Sequence, residues 1–474
     1  MIRHKFLNNF LTYSIFAFIQ KGISFFIIPL YTFLLSPVEF GLVGRTIALG
    51  SIYILIFTFA LDEAAARFYF QDRKCLENKQ NILNSIISLN LLICLFGSIL
   101  LFAFQFFFYK TFIHQISPNF IILSILIIIS SPIYSIYIKL LRIKEMSKQY
   151  AVVMLSYTLI QIFLCLFFIM VVDLGALGYL LSIAITSLIF GIYSFIMIIK
   201  DISFNFSFYK INEIFKYSIS IIPHTISSWG IAGFTLVALG KMINSAVVGI
   251  FNAMNFLTLI FNVLTKAIID SYQPWVYKKL ESDSANINDI LKFAHFLGLF
   301  FLIFSFLLSL FSSELIKLLI NSQFHSGIVI VPFLILSSVF LFLGSLLVFI
   351  LYYYKDKTFY IAIATIIGSL ANVLLCLYLI PKYGILGAAI SIMIANFLTS
   401  IFKQFFVSKV INRIVIFFDL YFFAILNAVI AYYSIYYNVS ILNKSFFLIL
   451  EFLCIIIIYK KSFKFFYYKL RGSL

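Results

Sequence analysis

The chain has 474 residues, of which 63% are hydrophobic and 11% charged, with a formal net charge of +17. Soluble domains carry about 25% charged residues, so a body this large lacks the charge to cover a water-facing surface, and soluble enzyme classes are excluded. The unbroken apolar runs lack the alternation of barrel strands, which leaves an all-α polytopic membrane protein.

In chain order, runs long enough to span a bilayer fall at 11–34, 41–61, 82–109, 120–140, 151–172, 176–199, 217–239, 248–269, 293–311, 328–351, 359–380, 385–406, 414–437 and 446–459. The pattern predicts fourteen transmembrane helices. Arg3 and Lys5 before the first run resemble a signal sequence, but no small-residue cleavage site follows, so the run reads as a retained helix. With the N-terminus on the cytoplasmic side, 26 of the 34 Lys and Arg fall in cytoplasmic segments. Five fall opposite (Lys110, Lys241, Lys317, Lys382 and Lys444), and Lys21, Arg45 and Lys266 lie within helices. This asymmetry puts both termini inside. It also accounts for the positive charge without nucleic acid as a partner. The longest loop, about 270–292, has room for at most a short amphipathic helix. Five cysteines without paired spacing suggest neither disulfides nor a zinc site. No cofactor motif or metal-ligand cluster appears.

Two motifs recur at almost one offset. Gly41, Asp62 and Tyr69 match Gly249, Asp270 and Tyr277, and the stretch Gly175–Ile183 matches Gly384–Ile392; Lys144-Glu145 against Lys355-Asp356 is a weaker third. The offset spans six helices, an even number, so the repeats run in the same sense, an architecture of transporters. The expected domains are a six-helix lobe over 1–205, a second over 206–410, and two extra helices with a basic tail over 411–474.

The segments Leu35-Ser36-Pro37-Val38-Glu39-Phe40-Gly41 and Leu61-Asp62-Glu63-Ala64-Ala65-Ala66-Arg67-Phe68-Tyr69 resemble the opening of bacterial polysaccharide flippases. So do Leu141–Lys144 with Gln149–Ala151, Tyr353–Thr358, Asn372, and Leu379–Ala389. The resemblance runs from about residue 8 to 407 and is to the oligosaccharide flippases of the multidrug/oligosaccharidyl-lipid/polysaccharide exporter superfamily, the O-antigen type included. It implies a two-lobed, non-enzymatic transporter in the bacterial cytoplasmic (inner) membrane. Its cargo would be undecaprenyl-diphosphate-linked oligosaccharide, carried to the outer leaflet by alternating access. Membrane lipids, a polysaccharide polymerase and chain-length proteins are the implied partners. Relatives often carry an acidic-basic pair at the outer end of the seventh span, where this chain has Gly240-Lys241.

Such a cargo needs a polar cavity with cations near its phosphates, because an unpaired charge in hydrocarbon is costly. Lys21 sits ten residues into the first span, with Ser14 and Ser24 on its face; it reads as a phosphate contact or as a lysine paired with a buried acid. Arg45 suits bidentate phosphate contact or a headgroup. Lys266, with Asp270 at i+4, reads as a local ion pair or a substrate contact. In the seventh span Ser220, His224, Ser227 and Ser228 share a face beside Pro223, and His224 reads as a phosphate or proton group or as a structural histidine. Asp62, Glu63 and Asp270 lie at the inner ends of repeat-related helices. Glu63 and Arg67, at i and i+4, suggest a gating salt bridge, with ion coupling as the bolder role. Asp419 and Glu451 in the two extra helices require partners. A drug/cation antiporter is a competing reading, disfavoured by the midplane lysine. A membrane polymerase or glycosyltransferase is another, disfavoured by the lack of a sizeable loop.

Overall fold

A computed structural model describes residues 2–71, 76–112, 118–202, 205–281, 287–354 and 357–458. The chain divides into two compact units: residues 1–229 with 243–249, and residues 230–242 with 250–474.

The first unit holds α1 (Ile2–Leu34), α2 (Pro37–Thr58), α3 (Leu61–Gln71), α4 (Leu76–Phe112), α5 (Pro118–Ile143), α6 (Ser147–Leu166) with a π turn at Phe167–Val171, and α7 (Gly175–Ile202). It also takes in the first part of α8 (Ile211–Met242) and the first turn of α9 (Ser245–Met254). The second unit holds the rest of α8 and α9, then α10 (Thr258–Glu281), α11 (Ile287–Leu310) and α12 (Ser312–Leu319). After a 3₁₀ turn at Ser322–Ile330 come α13 (Val331–Tyr353), α14 (Phe359–Val410), α15 (Phe418–Tyr436) and α16 (Ile441–Ile458).

All fourteen expected spans fall on helices, and no strand occurs among the described residues. Ten described helical segments are long and apolar enough to cross a membrane, so this is a multi-pass membrane protein. Among the boundaries that differ from expectation, two reshape the connections between spans. The second span ends at Thr58 and the chain restarts as α3. The eighth runs on through Pro274 to Glu281, so much of the expected 270–292 loop is helix; Tyr272 and Trp275 stack there at 5.8 Å.

The resemblance motifs have structural jobs. Ser36 caps α2 in a capping box: Glu39 N donates to its hydroxyl, and Ser36 N donates to the Glu39 carboxylate at 2.9 Å. One turn on, a Cβ at Gly41 would fall on the Ser245 carbonyl, and one at Gly249 on the Pro37 carbonyl. The two repeat-matched glycines thus meet reciprocally in one close helix contact. Gly175 and Gly384, also repeat-matched, share a left-handed φ of 48° and 58°. At Gly384 the backbone breaks inside α14, dividing it where the sequence separates two spans. Arg142 lies over the Tyr150 ring at 4.7 Å, closing the α5–α6 connection. Asn372 is buried and donates to the carbonyls of Gly230 and Ile231 and to the Thr235 hydroxyl, each at 2.9 Å.

The acids of the last two helices find partners inside the second unit: His295 meets Asp419 at 2.7 Å, and Asn427 donates to Glu451 at 2.5 Å. Lys444, expected in a loop, is 1% exposed and pairs with Glu314 of α12 at 2.7 Å while donating to the Ser313 hydroxyl at 3.0 Å. Burial opposes the Glu314 charge, but hydrogen bonds from Lys444 and Ser313 outweigh it and hold the carboxyl below its ordinary value.

Two expectations follow. Gly41→Ala should cost about 1–3 kcal/mol by overpacking, whereas Gly22→Ala, with open space around its Cβ, should be neutral or stabilising; thermal melting in detergent separates them. The Glu314–Lys444 pair stabilises above the pKa of an unfolded glutamate and loses that contribution as pH falls through the lowered folded value. Glu314→Gln should therefore flatten the acid limb of the melting curve. At neutral pH it should cost about 2 kcal/mol by leaving Lys444 without its counterion.

Candidate functional site

Helix α2 stops at two consecutive non-glycine residues in the left-handed region, Phe59 at φ 53° and Ala60 at φ 50°. Each costs about 1–2 kcal/mol relative to the right-handed form. Phe59 is held by stacking on Phe215 at 5.1 Å. The chain restarts at Leu61, which places Asp62 and Glu63 in the first turn of α3, the end where the helix dipole favours anions.

Beside this break lies a cavity of about 310 Å³ inside the first unit. Its polar wall consists of Thr58, Asp62 and Glu63 at the break, Asn90 of α4, Ser131 and Ser135 of α5, and Thr225 of α8. Lys139 bridges both acids, at 2.9 Å to Asp62 and 2.5 Å to Glu63. Ser135 adds a hydrogen bond to the Asp62 carboxylate at 3.1 Å. Asn90 is 1% exposed; the Asn90 Nδ2 and the Ser131 hydroxyl are buried without a hydrogen-bond partner. Buried polar groups are nearly always satisfied; of the several unsatisfied ones in the first unit, these two belong to residues that line the cavity. With two carboxylates and one ammonium, the cluster carries one net negative charge.

Other candidates separate. The Glu63–Arg67 bridge is not formed: Lys139 takes the acid, and the Arg67 guanidinium lies over the Tyr217 ring at 4.4 Å. Lys266 is exposed and makes no ion pair with Asp270. Lys21 is exposed on α1 next to Gln20, which donates to Thr158 of α6 at 3.0 Å. Arg45 is buried at 4% exposure. His224 is half-buried, and the Ser227 and Ser228 hydroxyls donate to their own helix, to the carbonyls of Pro223 and His224. Thr225, not these three, carries α8 to the cavity. The side chains of Ser14, Ser24 and Ser220 lie outside the described residues, as does the Lys355-Asp356 pair. Among the described residues no cluster of three potential metal ligands occurs.

Sequence reasoning placed Lys139 among loop charges and passed over Asn90. A signal existed for the first: Ser131, Ser135 and Lys139 recur at i, i+4 and i+8, a polar stripe on one face of an apolar helix. For Asn90 no neighbour in the sequence marks it.

Polar side chains gathered inside an apolar bundle, with a charged bridge at a broken helix, are features of membrane transporters. The family model described as polysaccharide biosynthesis protein matches residues 6–279, and the chain belongs to that family. Its fold is similar to a structure titled lipid II flippase MurJ, inward closed conformation: TM-score 0.71 and 18% identity, covering 97% of this chain and 99% of that one. It is also similar to the inward-facing conformation of a multidrug resistance MATE family transporter of the MOP superfamily, with TM-score 0.60 and 13% identity over 82% of this chain and 94% of that one. A MOP superfamily transporter from Pyrococcus furiosus matches at TM-score 0.51 and 16% identity, over 85% and 95% of the two chains. No curated protein matches the chain in sequence.

Lys139→Met should destabilise the protein by about 1–3 kcal/mol, because it leaves two carboxylates adjacent without their cation. Adding Asp62→Asn should recover part of that loss. Melting temperatures of the two single variants and the double variant, read as a cycle, check the coupling; simple additivity would contradict it.

Proposed function

We propose that the protein is a flippase that carries undecaprenyl-diphosphate-linked oligosaccharide from the cytoplasmic to the outer leaflet by alternating access. In this reading it lies in the bacterial cytoplasmic membrane with both termini inside, as the Lys and Arg asymmetry favours. The carrying observation is the polar cavity with its Lys139–Asp62–Glu63 bridge, inside helices otherwise built of apolar residues. A purely structural bundle gains nothing from such a void, since empty space among packed helices costs stability. A glycan head crossing hydrocarbon needs one.

Family membership and the fold shared with a lipid II flippase support the cargo class. The division of labour follows from charge. Lys21, exposed on α1, and Arg45, in α2, are the proposed diphosphate partners, as cations within apolar helices. The bridge acts as a latch: Lys139 ties α5 to the restart of α3, and its release would free both acids. Asp270, Lys266 and His224 are secondary candidates on the repeat-related helices. Cationic drug transport is the weaker reading, because the cavity acids already hold a cation of the protein's own. Membrane polymerase chemistry is the weaker reading as well, because the sequence holds no sizeable loop to carry it. A polysaccharide polymerase and chain-length proteins are the partners such a carrier would hand its product to.

Lys21→Ala should lower surface glycan at least tenfold at normal protein abundance and strand lipid-linked intermediate on the cytoplasmic leaflet. Protease-protected glycan labelling in spheroplasts measures both. Full export in that variant removes Lys21 from the route, and unchanged export after deletion of the whole gene ends the flippase reading.

A further inference from the structure

The cavity's chemistry is more specific than a wet passage. Asn90 Nδ2 is a buried donor without a partner, the Ser131 hydroxyl is a buried group that can donate or accept, and the Asp62 carboxylate accepts from Ser135 with acceptor capacity to spare. A ligand that satisfies all three must offer donors and acceptors side by side, as vicinal hydroxyls do. Ile54, Leu55, Pro132 and Ile136 add apolar surface to the same lining, which suits the C–H face of a pyranose ring. At about 310 Å³ the volume is at the low end for small-molecule pockets, room for one sugar residue rather than a chain. The net negative charge of the Lys139–Asp62–Glu63 cluster repels carboxylates and phosphates at this place.

We propose that this cavity in the first unit is a glycan subsite that takes one uncharged, hydroxyl-bearing sugar residue, with Asn90, Ser131 and Asp62 reading its hydroxyls. The assignment rests on the flippase reading for its biological cargo, but not for its test. An acidic sugar or a phosphate would have to be held elsewhere along the route.

The test is saturation-transfer-difference NMR on the full chain in nanodiscs, with methyl glucoside, methyl galactoside, methyl N-acetylglucosaminide and methyl glucuronide as probes. At least one neutral glycoside should receive saturation, and the glucuronide should not. Asn90→Leu should reduce the neutral signal at least fivefold. Should that variant fail to fold by size-exclusion profile, Ser131→Ala provides the same reading with a smaller change, expected at two- to threefold. No neutral glycoside bound to folded wild type (a cavity for water alone), a glucuronide signal equal to the neutral one, or full signal in a folded variant would each overturn the subsite. Sugar binding in a protein whose deletion leaves export intact would keep the subsite and discard the flippase reading; the converse pair of results would do the opposite.

Discussion

Inside a hydrocarbon slab no water stands ready to solvate a charge, so an ionisable side chain among apolar helices is costly unless it finds a partner within the protein. That constraint orders much of this structure. Asp419 is met by His295 and Glu451 by Asn427; at the ends of spans, Glu314 is met by Lys444, and Asp62 with Glu63 by Lys139. The first three pairings hold α15 and α16 within the second unit. The fourth differs, because it borders space.

The break between α2 and α3 makes that difference. A continuous helix would carry Asp62 and Glu63 onward along the axis of α2. Two left-handed residues turn the chain instead, aim the acids at α5, and leave a gap that Asn90, Ser131 and Ser135 line. The backbone cost is met locally by the Phe59–Phe215 stack and by the bridge to Lys139. Strain, unsatisfied donors and volume thus coincide at one place, as they do where function has been given precedence over packing. Elsewhere in the first unit several hydroxyls are spent inward: Ser182, Ser187 and Thr158 donate to their own helices.

The glycines show how far sequence motifs carry. Gly41 and Gly249 stand out as a repeat match, and the structure gives the reason, a backbone approach that excludes any Cβ on either side. Gly175 and Gly384 stand out in the same way and share a φ open to glycine at little cost. Such residues are legible because the requirement is local to one position. The acids were legible too, as expensive residues at helix ends. Their partners were not: Arg67, four residues from Glu63, is the natural choice along the chain, yet Lys139, far off in sequence, takes both carboxylates.

Composition and the order of apolar runs by themselves determined the class of protein and its helical spans, because burial in lipid is a demand that each twenty-residue stretch meets on its own; the likeness to polysaccharide flippases lay in short motifs and their order. Tertiary structure alone decided that α2 breaks where it does, that Lys139 rather than Arg67 closes the acidic pair, and that Asn90 and Ser131 face a common void. Those outcomes depend on distances between helices remote in the chain, and periodicity along one helix carries no record of which neighbour its polar face will meet.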